Sequence, residues 1–147
     1  PTEDRPFPWR PPEDFGAWAR EAARIGAEIG VDPETAGEVP FRYGTGFERV
    51  HALIRAEPRL AERIVPDAPF CLAETVHAAR REMATTLEDI LVRRIPLLRI
   101  TRPTRTTLLL VAALVGSVLD WTEERREQEV AAVSSGRTTG KGDDART

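Results

Sequence analysis

The residues through which this chain could do chemistry are few and do not converge. His51 and His77 fall on separate predicted helices, with no cysteine or carboxylate at ligand spacing. Both therefore read as surface or inter-helix histidines, and no metal site is expected. Cys71 opens a helical pattern, where a helix dipole would favour the thiolate. Its neighbours Phe70 and Leu72 instead point to a buried structural thiol. Gly44-Thr45-Gly46 lacks both the third glycine and the preceding strand of a phosphate-cradling loop, so it reads as a turn. Nothing forms a nucleophile–base pair or two independently held carboxylates. The expectation is a chain with no catalytic, cofactor-binding or metal-binding residue of its own.

Two charged constellations carry more information. Glu74, Arg81 and Glu82 on one predicted helix precede Glu88, Asp89, Arg93 and Arg94 on the next. Helices joined by so short a turn usually pack together, so Glu74, Arg81, Glu82, Asp89, Arg93 and Arg94 form a candidate seam. That seam is either an ion-pair lattice fixing helix register or a docking surface for a partner domain. If Arg93 were buried with Glu74 or Glu82, its replacement by alanine would cost ~1–3 kcal/mol; on the surface it would cost under ~0.5 kcal/mol. The second constellation is Arg93, Arg94, Arg99, Arg102 and Arg105, with no acid between Asp89 and Asp120. It reads as a solvated loop with local pairing, or as a surface for anionic lipid headgroups or an acidic partner.

The elements that would position these residues are all helical. Phe15, Trp18, Ala22, Ile25 and Ile29 recur at helical spacing and Gly30 ends the pattern. Asp32-Pro33 starts a second helix, expected to be short because Pro40 interrupts it. Phe47, Val50 and Ile54 mark a third helix; Leu72, Val76, Ala79 and Met83 mark a fourth. Thr85 and Glu88 have capping-box spacing and open a fifth with Leu87, Ile90, Leu91 and Ile95. A sixth, roughly Thr104 to Leu119, is apolar nearly all round and is expected at the centre of the bundle. Thr122 caps a seventh that runs to Val133. The fold class is all-α, a single bundle of about six to seven helices. Residues 1–12, with five prolines, read as a linker, residues 13–133 as the helical domain, and residues 134–147 as a disordered tail.

Composition sets the remaining bounds. The chain has 147 residues, 41% of them apolar, and a net charge of -3, so no global field drives it toward nucleic acid. Lys141 is the sole lysine among many scattered arginines, a compositional bias. One cysteine permits no intrachain disulfide and suits a reducing, cytoplasmic compartment. No signal peptide is read at the start. The longest apolar run, Leu108 to Leu119, is shorter than the ~18–20 residues of a bilayer span.

The stretch Glu74 to Arg94 resembles a signature of the aerobic, FAD-dependent glycerol-3-phosphate dehydrogenases and related glycerophosphate oxidases. Their C-terminal domains typically show Glu, then Tyr-Ala, Arg-x-Glu-Met-Ala, Thr-Leu-x-Asp and a closing Arg-Arg. Here these are Glu74, His77-Ala78, Arg80 to Ala84, Thr86 to Asp89 and Arg93-Arg94. Tyr43-Gly44, Ile64-Val65-Pro66 and the helix after Trp121 are similar as well. His77 stands where tyrosine is usual, Ile95 where a small polar residue is common, and Pro40 breaks a normally smoother helix. The resemblance implies an accessory C-terminal helical domain. Its parent enzyme would oxidise glycerol 3-phosphate to dihydroxyacetone phosphate and pass electrons through FAD to quinone, or to oxygen in the oxidases. FAD would sit in an N-terminal flavin-binding domain, on the same chain or a separate subunit, and that domain would be this chain's partner. Peripheral contact of the parent with the cytoplasmic membrane is a further implication. The alternative is a free-standing helical adaptor without catalysis.

Overall fold

The computed structural model describes residues 14–135; the expected linker and most of the expected tail lie outside the described residues. Those residues are all-α, with seven α-helices and no strand, only an isolated bridge between Arg63 and Cys71. They cluster into two compact units that divide between Ala73 and Glu74.

The first unit holds α1 (Phe15–Glu28), α2 (Pro33–Tyr43) and α3 (Phe47–Ala56), followed by a 3-10 turn over Pro58–Ala61. Asp14 caps α1 by accepting from the Ala17 amide at 3.0 Å, and Asp32 caps α2 through the Thr35 amide at 3.1 Å. The buried face of α1 is Ala19, Ala22 and Gly26, not the large residues picked out by periodicity. At Gly26 a Cβ would come within 3.2 Å of both the Ala36 methyl and the His51 ring, so any larger residue would need these neighbours to shift by a few tenths of an ångström. An aromatic series runs Phe41, Phe15, Trp18, Phe47, His51, each pair edge-to-face except the tilted Phe15–Trp18.

α2 corrects the sequence reading: it passes through Pro40 and ends only at Tyr43. An interior proline costs a helix ~3 kcal/mol, chiefly through the lost amide and the clash with the preceding turn. Here the ring is buried, and its apolar contacts offset part of that cost. Gly44, at φ 54, then turns the chain, a conformation that glycine adopts without steric penalty.

In the second unit α4 (Leu72–Arg81) carries the chain into a tight loop, and Met83 is not on its apolar face. Met83 lies beyond the helix at φ 53 with 90% of its surface exposed. A left-handed conformation costs a non-glycine residue ~1–2 kcal/mol. Buried Ala84 and the bond from the Glu82 amide to the Ala78 carbonyl hold the loop there. The next helix also departs from expectation. Its cap is Thr86, which accepts from the Asp89 amide at 3.0 Å, one residue later than the Thr85 box. From Asp89 to Arg94 the backbone is a π-helix, with the Ile95 amide bonded to the Ile90 carbonyl at 2.7 Å. Leu87, Ile90, Leu91 and Ile95 are all buried, the face that the helical period picked out.

A single-turn helix, α5 (Leu97–Ile100), leads to α6 (Arg105–Leu119), capped by Thr104 and packed against α7 (Glu123–Ser135). Leu108, Val111, Ala112 and Val115 of α6 are buried while Leu110 is exposed, so the helix has a core stripe and is not buried all round. Asp120 ends α6 in the left-handed conformation, and Thr122 caps α7 by accepting from the Arg125 amide at 3.1 Å. α7 runs two residues past the expected Val133, because Ser134 and Ser135 bond back to the Val130 and Ala131 carbonyls.

Candidate functional site

Of the six seam residues, Asp89 and Arg93 pair with each other. Glu74 is fully buried on α4. Arg93 has 70% of its side chain exposed and pairs with Asp89 four residues back on its own helix, at 3.1 Å. Asp89 also meets Thr86, whose hydroxyl, helped by the Thr85 amide and Arg93, holds the carboxyl below the usual aspartate range. Arg81 and Arg94 are exposed, with no carboxylate at ion-pair distance among the described residues; Glu82 is half-buried. Among the described residues the carboxylate at ion-pair distance from Arg93 is Asp89.

The basic stretch divides. Arg105 pairs with Glu127 of α7, which places one member in a local ion pair. Arg102 donates to the Leu98 and Thr101 carbonyls, both at 3.1 Å, closing the end of α5. Arg94 and Arg99 stay exposed, with no carboxylate partner among the described residues, and Ile100 beside them is 61% exposed.

The strongest polar constructions are ones that sequence spacing did not reveal. Glu129 on α7 accepts from the Leu87 amide and from Arg125 Nε, each at 2.8 Å, with its side chain 11% exposed. It ties the start of the π-containing helix to α7 across 42 positions. Arg125 in turn lies 5.3 Å above the Trp121 ring. Thr85, Leu119, Asp120, Trp121, Thr122 and Arg125 line an open cleft of about 510 Å3.

In the first unit Arg63 forks onto both oxygens of Asp32, at 2.7 and 3.0 Å, and also donates to Glu34 and the Pro66 carbonyl. That guanidinium holds Asp32 far below the usual carboxylate range. Arg42 donates to the Pro69 carbonyl at 2.8 Å and lies 4.4 Å over the Phe70 ring, pinning the loop that precedes α4.

Cys71 is fully buried, as its neighbours suggested. His51 is buried too, and neither ring nitrogen has a hydrogen-bond partner among the described residues. Burial, assisted by the Arg55 charge, pushes its pKa down to about 4, so the ring is neutral near pH 7. Gly44–Gly46 forms a 3-10 turn leading into α3, with no strand before it, and so does not fit a dinucleotide phosphate. Among the described residues no three His, Cys, Asp or Glu side chains could hold a metal ion, and no helix is long and apolar enough to cross a membrane.

Residues 13–126 match the family described as the C-terminal domain of alpha-glycerophosphate oxidase. Among curated proteins, glycerol-3-phosphate dehydrogenase 2 of Mycobacterium bovis is 32% identical over 121 residues, covering 81% of this chain and 20% of the relative. The protein of that name from Mycobacterium tuberculosis matches to the same extent. A glycerol-3-phosphate dehydrogenase of Synechocystis is 33% identical over 91 residues, 60% of this chain and 16% of the relative. The chain thus spans about a fifth of the length of the mycobacterial relatives. No solved structure matches it significantly.

Proposed function

Because the chain belongs to the family of the C-terminal domain of alpha-glycerophosphate oxidase, we propose that it serves an FAD-dependent glycerol-3-phosphate dehydrogenase as an accessory helical domain. The parent would oxidise glycerol 3-phosphate to dihydroxyacetone phosphate and pass the electrons to quinone, and its flavin would be the hydride acceptor. The match over residues 13–126, set against relatives five times longer than the matched segment, carries this reading. The Gly44–Gly46 turn is not a dinucleotide loop, which supports assigning the flavin and the chemistry to the rest of the enzyme. The domain covers or supports the flavin-binding part and meets it through exposed arginines, chiefly Arg94 and Arg99 with Ile100 between apolar contacts. A cytoplasmic location goes with this assignment, supported by a single, buried cysteine.

Two measurements test the reading. The coding DNA upstream of Pro1 should continue in frame into a glycine-rich flavin-binding segment or lie beside a gene encoding one. A start codon directly before Pro1 with no such neighbour would favour a free-standing adaptor. The purified chain should show no flavin absorbance and reduce no dye with glycerol 3-phosphate; a yellow, active protein would refute the assignment of catalysis elsewhere. Salt-sensitive binding of the chain to anionic vesicles, lost on Arg94→Glu and Arg99→Glu, would move the basic stretch from domain docking to peripheral membrane contact.

A further inference from the structure

We propose that the aromatic face of Phe15 and Phe41 is a docking surface for the proline-rich segment just before it, residues 6–12 of this chain, laid along it as a polyproline II helix. The aromatic series that starts inside the first unit at His51 and Phe47 ends in solvent. Phe47 is 7% exposed, Phe15 38% and Phe41 64%. The two outer rings stand edge to face, 5.1 Å apart between centroids. One turn back from Phe41 on α2, a Cβ on Gly37 would meet no atom within 4 Å among the described residues, so the backbone there lies open. A single exposed apolar residue needs no explanation, but adjoining aromatic rings beside bare backbone form a surface that an apolar chain can cover.

The segment Pro6-Phe7-Pro8-Trp9-Arg10-Pro11-Pro12 suits that surface. Each proline fixes φ at about −65° and removes an amide donor, so the stretch favours polyproline II and loses little entropy on docking. That helix has three residues per turn, so Pro6, Trp9 and Pro12 share one edge and Pro8 and Pro11 the next. Two adjacent edges are then apolar, and proline edges of this kind pack on aromatic-lined surfaces.

Tethering favours this segment over any separate partner. It leads into α1 through Asp14, next to Phe15, and Asp14 at φ −91 and ψ 81 lies outside the helical region, so α1 does not continue upstream. At ~3.1 Å per residue, seven residues reach ~22 Å, several times the spacing of the two rings. A short tether gives an effective concentration on the order of millimolar, ahead of a free peptide. Charge agrees. Arg10 falls on the remaining edge of the segment, and Glu38, one turn before Phe41, is 54% exposed and held by Arg42 only at 3.9 Å. Within the parent enzyme proposed above, a docked segment replaces a loose tether with a fixed attachment; that consequence rests on the accessory-domain reading, and the docking does not.

Backbone 15N relaxation of the full chain tests this. Order parameters at Phe7, Trp9 and Arg10 should match those of α1, at ~0.85, and proline ring protons should show NOEs to Phe15 and Phe41. Phe41→Ser alters a largely exposed side chain, so it should leave the circular dichroism spectrum unchanged while those three values fall below ~0.6. Trp9→Gly probes the contact from the other side: it should shift the Phe15 and Phe41 ring resonances and leave those of Phe70 in place. Values below ~0.6 in the unaltered chain overturn the proposal, as does order that survives Phe41→Ser. Order lost on dilution from ~0.3 to ~0.03 mM overturns it too, by placing a second copy's segment on the face. If Phe41→Ser unfolds the chain, Trp9→Gly decides, and unmoved Phe15 and Phe41 resonances overturn the docking.

Discussion

Glu129 shows how much a single buried carboxylate can hold. One oxygen accepts the Leu87 amide in a buried bond, the other Arg125 in a part-buried one. Its replacement by alanine leaves a buried amide without an acceptor and frees the guanidinium over Trp121. Urea unfolding should register a loss of ~2–3 kcal/mol. Arg93→Ala should cost under ~0.5 kcal/mol in the same measurement, because its pair with Asp89 is local and solvated. His51 gives a pH dependence with a definite sign. Its folded pKa, about 4, lies below the ordinary 6.5, so the unfolded chain takes up the proton first as pH falls. Stability is full above about pH 6.5 and declines toward pH 4, by a total on the order of 2–3 kcal/mol. His51→Leu should flatten that window. A decline confined to pH below about 4 would instead report Asp32, whose pairing with Arg63 is lost only when the carboxylate is protonated.

At the scale of elements, most helices were legible and their junctions were not. Asp14, Asp32, Thr104 and Thr122 cap where short polar side chains precede an apolar period, because the free first-turn amides need an acceptor wherever a helix starts. Thr104→Ala should therefore lower stability by ~1 kcal/mol in thermal or urea unfolding. The misplacements at Pro40, Thr85 and Met83 share a physical origin: propensity is a local quantity, and burial of the Pro40 ring or of the Ile90–Ile95 π-turn is decided by neighbours. Met83 sits where periodicity would continue α4, yet its backbone is left-handed. Met83→Gly should raise stability by ~0.5–1 kcal/mol in urea unfolding by relieving that strain.

For the whole molecule, composition, helical period and the Glu74–Arg94 signature were enough to reach an all-α chain of the glycerophosphate oxidase C-terminal family, as the match over residues 13–126 bears out. These were readable because periodicity and short-range signature spacing are properties of contiguous residues. The partition into two compact units was not readable, since it depends on which buried faces find each other. The same holds at the candidate sites. The seam residues were chosen for adjacency along two helices, and Arg93 among them lies on the surface, paired with Asp89. The Glu129–Leu87 bond and the Trp121 cleft join segments far apart in sequence, and no local pattern encodes a contact across 42 positions. Sequence alone determined which segments are helical and which family they form, because local backbone preference and apolar period act within a few turns. Tertiary structure decided which charges are buried, which cap is used and which surface stands open, because desolvation and packing depend on every element that closes around a residue.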